Sequence, residues 1–438
     1  MISRLIDRFN GKGLGAKLVR IASGSFMIKI AGAGVAFGLQ LLLARILNAS
    51  GYGAYIYVIT CVNFLVLPVI LGFDTATLRF IPQYIGKKNY AYVFGYIKRS
   101  QQIVLFSGLI VISVISLYLH MEQAKIANGI YQLYVLALLL LPINAVIRLK
   151  GSLLQSLNKV LISQFYQVIL RPLLIAGTVT IAYLYTQENL AEIAIMANVI
   201  SGLLIIFVFA FIVKKQTNKI KTNVKDSFDT KQWLFVSLPL LLNTGFNVIL
   251  SQADILMIGY FFNQDKVGIY AAVTKTAGLV TFVLTAVNSI AAPMISQLYA
   301  EGKKAELQKI VTLAARLTFF TSLPICIVLM QWSEQILSLF GTQFTSGSEA
   351  LIYLAGAQLF SALAGSVGFI MIMTGHQNQA NLILIISALV NVVANYYLIP
   401  MFGINGAAYA TALSIFTWNF FMYIYTRKKV GINPTVMS

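Results

Sequence analysis

The chain has 438 residues, 58% of them hydrophobic and only 10% charged, with a mean hydropathy of +0.81. Soluble domains carry about 25% charged residues, so a soluble globular protein is excluded. The net charge of +19 does not mark a nucleic-acid binder, because the basic residues flank apolar runs and no soluble stretch is long enough to hold a duplex.

Apolar runs near the length that crosses about 30 Å of hydrocarbon as a helix recur along the whole chain. They predict an all-α polytopic membrane protein with twelve spans, near 20–46, 51–73, 100–119, 130–149, 160–186, 190–213, 233–262, 267–296, 308–331, 349–374, 378–400 and 403–425. Residues 2–9 put Ile2, Leu5, Ile6 and Phe9 on one helical face and Arg4 and Arg8 off it. That pattern suits a short interfacial helix on the inner leaflet, or the frayed start of the first span. The first apolar run is long and follows a polar start, so no cleavable signal peptide is expected. Cys61 and Cys326 both fall inside apolar runs and read as buried small hydrophobes.

Lysine and arginine alternate from loop to loop. Arg4, Arg8, Lys12, Lys17 and Arg20 precede the first span, and Arg79, Lys87, Lys88, Lys98 and Arg99 follow the second. Arg148, Lys150 and Lys159 follow the fourth, and six lysines between Lys214 and Lys231 follow the sixth. Lys303, Lys304, Lys309 and Arg316 follow the eighth, and Arg427, Lys428 and Lys429 close the chain. The other loops hold only Lys125 and Lys266 beside several acids. The positive-inside rule then predicts an even number of spans with both termini cytoplasmic, in a bacterial inner membrane.

The basic stretch at Lys214–Lys231 reads as a linker. The expected layout is a cytoplasmic segment 1–19, a first lobe 20–213, a linker 214–232, a second lobe 233–425 and a tail 426–438. Six spans per lobe give both lobes the same orientation, so any repeat is parallel, about a pseudo-two-fold axis along the membrane normal. Such a repeat is legible. Arg45-Ile-Leu-Asn48 followed by Gly53-Ala-Tyr55 parallels Tyr260-Phe-Phe-Asn263 followed by Gly268-Ile-Tyr270 at a constant offset of 215. Gly86-Lys87-Lys88 parallels Gly302-Lys303-Lys304 at an offset of 216. Each half is expected to have a short outer hairpin, then a long basic inner loop before its third span.

Ionisable groups at bilayer depth cost about 2.5–3.5 kcal/mol each on insertion scales and usually face a cavity or a partner. Lys29 lies in span 1, Arg45 at its outer end, Arg171 mid-way through span 5, Lys275 in the outer half of span 8 and Asp254 in the outer half of span 7. Arg171 is the foremost candidate: it keeps its charge, Pro172 weakens the helix beside it, and a guanidinium grips a pyrophosphate bidentately. Its alternative is an interhelical hydrogen bond. Lys29 lines a cavity or snorkels inward. Lys275 lines a cavity, snorkels outward or pairs with Asp254. Arg45 is an interfacial anchor or a ligand. Asp254, the only acid deep in a span, carries a coupling proton or sodium ion, or is a structural counter-ion. The amides Gln40, Asn63, Asn144, Gln164, Gln167, Asn243, Asn247, Asn288, Gln358, Asn391 and Asn395 serve equally as sugar ligands or interhelical glue. Gly34 and Gly38 form a G-x-x-x-G step on a small-residue face that also includes Gly32, expected to let span 1 pack closely inside its lobe, with dimerisation as the alternative. No phosphate-cradling loop, catalytic set or metal spacing occurs, so the chain is not expected to be an enzyme or to hold a cofactor or metal. Energy would come from an H+ or Na+ gradient, the membrane potential or the substrate gradient.

These residues carry a resemblance. Asn48 through Tyr55 resembles the first outer hairpin of the polysaccharide-synthesis flippases, as does Asp254-Ile-Leu-Met-Ile-Gly259 running into Val267-Gly268-Ile269-Tyr270. Gly375-His376-Gln377, Asn391, Leu398-Ile399-Pro400 and Gly403-Ile404-Asn405-Gly406-Ala407-Ala408 resemble the penultimate hairpin of the same group. That family belongs to the multidrug/oligosaccharidyl-lipid/polysaccharide exporter superfamily. The resemblance implies a two-lobed V-shaped bundle that flips a polyprenyl-pyrophosphate-linked O-antigen, capsule or exopolysaccharide unit by alternating access. Implied partners are that lipid-linked glycan, membrane lipids and a polysaccharide polymerase. The competing reading is an ion-coupled multidrug or small-solute antiporter of the same superfamily. A cation exporter would want an acidic cavity, whereas the membrane-embedded charges here are mostly basic. A major-facilitator sugar transporter lacks support because the loop after span 2 reads Asp74-Thr-Ala-Thr-Leu-Arg79. A membrane polymerase or ligase would need a large outer loop, which the spans leave no room for.

Overall fold

A computed structural model describes residues 14–125, 128–186, 188–218, 220 and 225–436. The N-terminal interfacial helix expected over residues 2–9 lies outside the described residues. Within them the regular structure is all helix, with no strand. Contacts divide it into two units: Met1–Ile46 with Val58–Gly245, and Leu47–Tyr57 with Phe246–Ser438.

The first unit contains most of α1 (Leu14–Ile70), then α2 (Phe73–Gly86), α3 (Tyr90–Glu122), α4 (Asn128–Leu138) and α5 (Leu140–Ser156). It continues through α6 (Val160–Gln164), a π-helical turn Phe165–Leu170, α7 (Arg171–Tyr185) and α8 (Leu190–Thr217). The first turns of α9 (Thr230–Phe261) also belong to it. The second unit holds the rest of α9, α10 (Gln264–Ala300), α11 (Lys304–Gln331), α12 (Ser333–Ser338), α13 (Ser348–Ala364), α14 (Val367–Met373), α15 (Gln377–Phe402) and α16 (Ile404–Tyr425).

Among the described residues nine helices are long and apolar enough to cross a membrane, or ten if the bent pair Thr342–Ala364 and Val367–Met373 is one span. The first of them, Ser23–Ile70, has 48 residues and is two helices merged at Asn48 (φ 57°, ψ 179°). Each of the twelve expected spans therefore falls on helix, with α16 supplying the last.

The long basic inner loops expected before the third span of each half are absent. Arg79 sits within α2, Lys98 and Arg99 lie on α3, and the connections are tight turns at Lys87–Asn89 and Glu301–Lys303. Hydropathy marks only the apolar middle of a helix, and these helices run on past it into polar sequence. Positive φ at Lys88 (57°) and Gly302 (69°) closes the two equivalent turns.

Segment 225–229 docks on α3. Ser227 N–H donates to the Ala91 carbonyl (3.1 Å), Lys98 pairs with Asp226 (3.7 Å), and the Arg99 guanidinium lies 4.9 Å from the Phe228 ring. Trp233 follows, fully buried, with its Nε1–H donating to Tyr84 Oη at 2.8 Å. A ring against the indole, Tyr96, closes the cluster at 5.1 Å. The tail docks likewise in the second unit, where Gln308 exchanges hydrogen bonds with the Asn433 backbone N–H (2.8 Å) and carbonyl (2.7 Å).

Close packing of span 1 falls on Gly32 and not on the Gly34/Gly38 step. A Cβ on Gly32 would meet Val168 of the π turn, whereas one on Gly34 or Gly38 would meet nothing within 4 Å. Three residues separate 34 from 38, but 32 lies on a different face, which is why the spacing alone misled. Gly32→Leu is expected to destabilise the protein by about 1–3 kcal/mol through overpacking, and Gly34→Ala to change little. Thermal unfolding of the two variants in detergent reads the difference.

Candidate functional site

The most developed polar cluster lies in the second unit and centres on Asp254, which is 5% exposed. α9 presents the carboxylate and α10 brings Tyr270, whose hydroxyl donates to Asp254 Oδ2 at 2.8 Å. Asn395 of α15 donates from Nδ2 to Oδ1 at 2.7 Å, and Thr411 of α16 donates its hydroxyl to Oδ2. One turn from Asn395, Asn391 offers its Oδ1 to the same Nδ2 (3.0 Å) and donates to Ser414 Oγ (3.4 Å). The i, i+4 spacing of Asn391 and Asn395 puts both amides on one face of α15, and both are fully buried.

A buried carboxylate is tolerable only when its charge is balanced or well solvated by donors. Here three side-chain donors do that work, and none is a cation. Asp254 makes no ion pair with Lys275 among the described residues, so the pairing weighed from sequence is not formed. The Asn395 Oδ1 oxygen is buried without a hydrogen-bond partner. The Asp254 carboxylate, Asn391 Oδ1 and the Thr411 and Tyr270 hydroxyls are oxygen donors of the type hard cations prefer, held together by the Asn395 amide between them. No group of three or more His, Cys, Asp or Glu side chains capable of holding a metal occurs among the described residues.

Arg171 belongs to the first unit. Pro172 has no N–H to return to Val168, and the backbone widens into the π turn Phe165–Leu170 immediately before it. The guanidinium is half-buried and donates from Nη2 to Asn144 Oδ1 of α5 at 2.8 Å. Gly202 of α8 lies beside it, and a Cβ there would overlap Ile143 of α5, so this glycine lets α5 and α8 pack closely next to Arg171. The interhelical hydrogen bond weighed from sequence is therefore present. It also holds the charge in a fixed direction.

Lys29 is exposed, one turn from Ser25, whose hydroxyl donates to Gln164 Oε1 at 2.6 Å. Arg45 is exposed near the end of the first half of α1. Lys275 is exposed on α10 although its neighbours Ala271, Ala272, Val273, Thr276 and Ala277 are all buried. Lys29, Arg45 and Arg171 lie in the first unit, Asp254 and Lys275 in the second. Sequence reasoning named Asp254, Asn391 and Asn395 one by one but missed Tyr270 and Thr411 as members of one cluster. The usable signal was the concentration of polar residues at matching depth in spans 7, 8, 11 and 12.

The chain matches the polysaccharide biosynthesis protein family over residues 18–299, well over half its length. It belongs to that family. Residues 239–397 also match the MatE family, as expected of one superfamily. A probable low-salt glycan biosynthesis flippase, Agl15 of Haloferax volcanii, is 25% identical over 403 residues, 91% of this chain and 81% of that protein. The capsular polysaccharide biosynthesis protein CapF of Staphylococcus aureus is 23% identical, over 84% of this chain and 95% of that one. Among solved structures, a multidrug resistance MATE family transporter of the MOP superfamily in an inward-facing conformation superposes with a TM-score of 0.71 at 13% identity, covering 92% of this chain and 98% of that one. The lipid II flippase MurJ, in an inward closed conformation, superposes at 0.70 and 15% identity, covering 94% and 88%. This family member thus has the helical transporter fold those structures share.

Proposed function

We propose that this polysaccharide biosynthesis family member is a flippase. It moves a polyprenyl-pyrophosphate-linked oligosaccharide across the plasma membrane by alternating access, for surface polysaccharide assembly. Both termini are cytoplasmic, and the product passes to a polysaccharide polymerase. The observation that carries this reading is the sign of the membrane-embedded charge. Lys29, Arg171 and Lys275 stand at bilayer depth against one deep acid, and that acid is already solvated by neutral donors. An anionic pyrophosphate suits such a protein, and a cationic drug does not. The names of the relatives and the fold shared with a lipid II flippase support it.

Asp254 is the coupling group in this reading. Its cluster accepts a sodium ion on oxygen, or a proton on the carboxylate, and occupancy biases one conformation over the other. Lys29, Lys275 and Arg171 attract the pyrophosphate, with Arg45 at the outer end of the path, while the polyprenyl tail stays in lipid.

The test is the native host with the gene removed. Lipid-linked oligosaccharide is expected to accumulate on the cytoplasmic side and surface glycan to fall at least tenfold, both restored by the wild-type chain. Unchanged surface glycan together with new sensitivity to cationic dyes would favour the antiporter.

A further inference from the structure

The internal repeat has a physical counterpart. Ala49-x-x-x-Gly53 and Gln264-x-x-x-Gly268 occupy equivalent places in the two halves of the sequence, 215 positions apart. Within the second unit these two helix starts lie backbone against backbone. A Cβ on Gly53 would overlap the Gln264 carbonyl and sit 2.8 Å from Gly268 N. A Cβ on Gly268 would overlap the Ala49 carbonyl and sit 3.1 Å from Gly53 N. Each glycine meets the counterpart of what the other meets, so the contact is isologous, like a two-fold dimer interface built within one chain. Only glycine allows backbones so close.

Its flanks are latched. The Ala49 N–H donates to Gln343 Oε1 at 3.1 Å, Tyr52 packs edge-on to Phe344 at 6.0 Å, and Tyr57 lies over Gly259. Two features strain the chain beside the contact. Asn48, one residue before it, holds φ 57° and ψ 179°, a conformation that L residues rarely adopt. Gln264 Oε1 is buried there without a hydrogen-bond donor.

We propose that this glycine crossing is the outer gate. It is closed in the conformation described here and separates to release substrate, and a side chain at either glycine holds it apart. The proposal rests on the alternating-access reading and on the charge pattern that puts these hairpins outside.

The test uses the full-length chain with Cys61→Ser and Cys326→Ser, and Ala49→Cys as reporter, because Ala49 is only 2% exposed. Intact cells are treated with a membrane-impermeant maleimide. Adding Gly53→Leu or Gly268→Leu is expected to raise labelling at least tenfold and to lower glycan export at least tenfold. Gly53→Ala and Gly268→Ala, milder insults, serve as the read-out should the leucine variants fail to reach the membrane, and are expected to shift both quantities in the same direction. Gly34→Leu, which meets open space, changes neither. Unchanged labelling and export in membrane-inserted Gly53 and Gly268 variants would overturn the gate. Increased labelling in a parent chain that never exports glycan would support the gate and refute the flippase reading, so the two failures are distinguishable.

Discussion

Asp254→Asn is expected to assemble normally and to lose transport at least tenfold, with the remaining flux indifferent to imposed sodium and proton gradients. The substitution keeps the shape and most of the hydrogen-bonding reach but removes the charge that a cation or proton needs. Asp254→Ala is the harsher change. It strips acceptors from Tyr270, Thr411 and Asn395 at once, and each buried donor left without a partner costs about 1–3 kcal/mol. A large drop in melting temperature is therefore expected for alanine and not for asparagine. Flux in proteoliposomes with imposed gradients, and unfolding in detergent, separate the coupling role from the structural one. Gradient-dependent transport by Asp254→Asn at the wild-type rate would remove Asp254 from the mechanism.

Arg171→Ala is expected to lower glycan export by about 10–100-fold while the protein remains in the membrane, since a charge-assisted hydrogen bond contributes about 1.5–3 kcal/mol. Arg171→Lys keeps the charge but loses the planar fork, so it is expected to fall between the two. Asn144→Ala removes only the acceptor that orients the guanidinium, and a smaller loss is expected. Should Asn144→Ala and Arg171→Ala behave alike in export and both melt early, the pair is a structural tie and the pyrophosphate is bound elsewhere. Quantitative surface-glycan staining, with membrane levels measured in parallel, reads the series.

Much of the fold was legible because its determinants are local. Each apolar run fell on helix, and nine or ten helices among the described residues are long and apolar enough to cross a membrane. The repeat at Gly53 and Gly268 was legible as a pattern but not as a contact, since nothing in one chain's sequence says that equivalent residues touch. Helix ends were misplaced where polar sequence continues a helix past the apolar core, as at Arg79 in α2 and Lys98 in α3. The Asp254 cluster assembles residues 254, 270, 391, 395 and 411 from four helices. Only the Asn391 and Asn395 spacing is a local signal, so the acid was found but its solvation was not. For Arg171 the sequence showed the charge and the proline beside it, and the structure added the Asn144 partner that fixes its direction.

The central claim is that a lipid-linked, pyrophosphate-bearing glycan is what moves. The direct measurement is purified protein in proteoliposomes loaded with a polyprenyl-pyrophosphate-linked oligosaccharide, with sugar exposed on the outer leaflet followed by an impermeant lectin. The account predicts transfer at least tenfold faster than in protein-free vesicles, slowed by Arg171→Ala and made gradient-independent by Asp254→Asn. Transfer no faster than in protein-free vesicles, with uptake of a cationic dye by the same preparation, would contradict it.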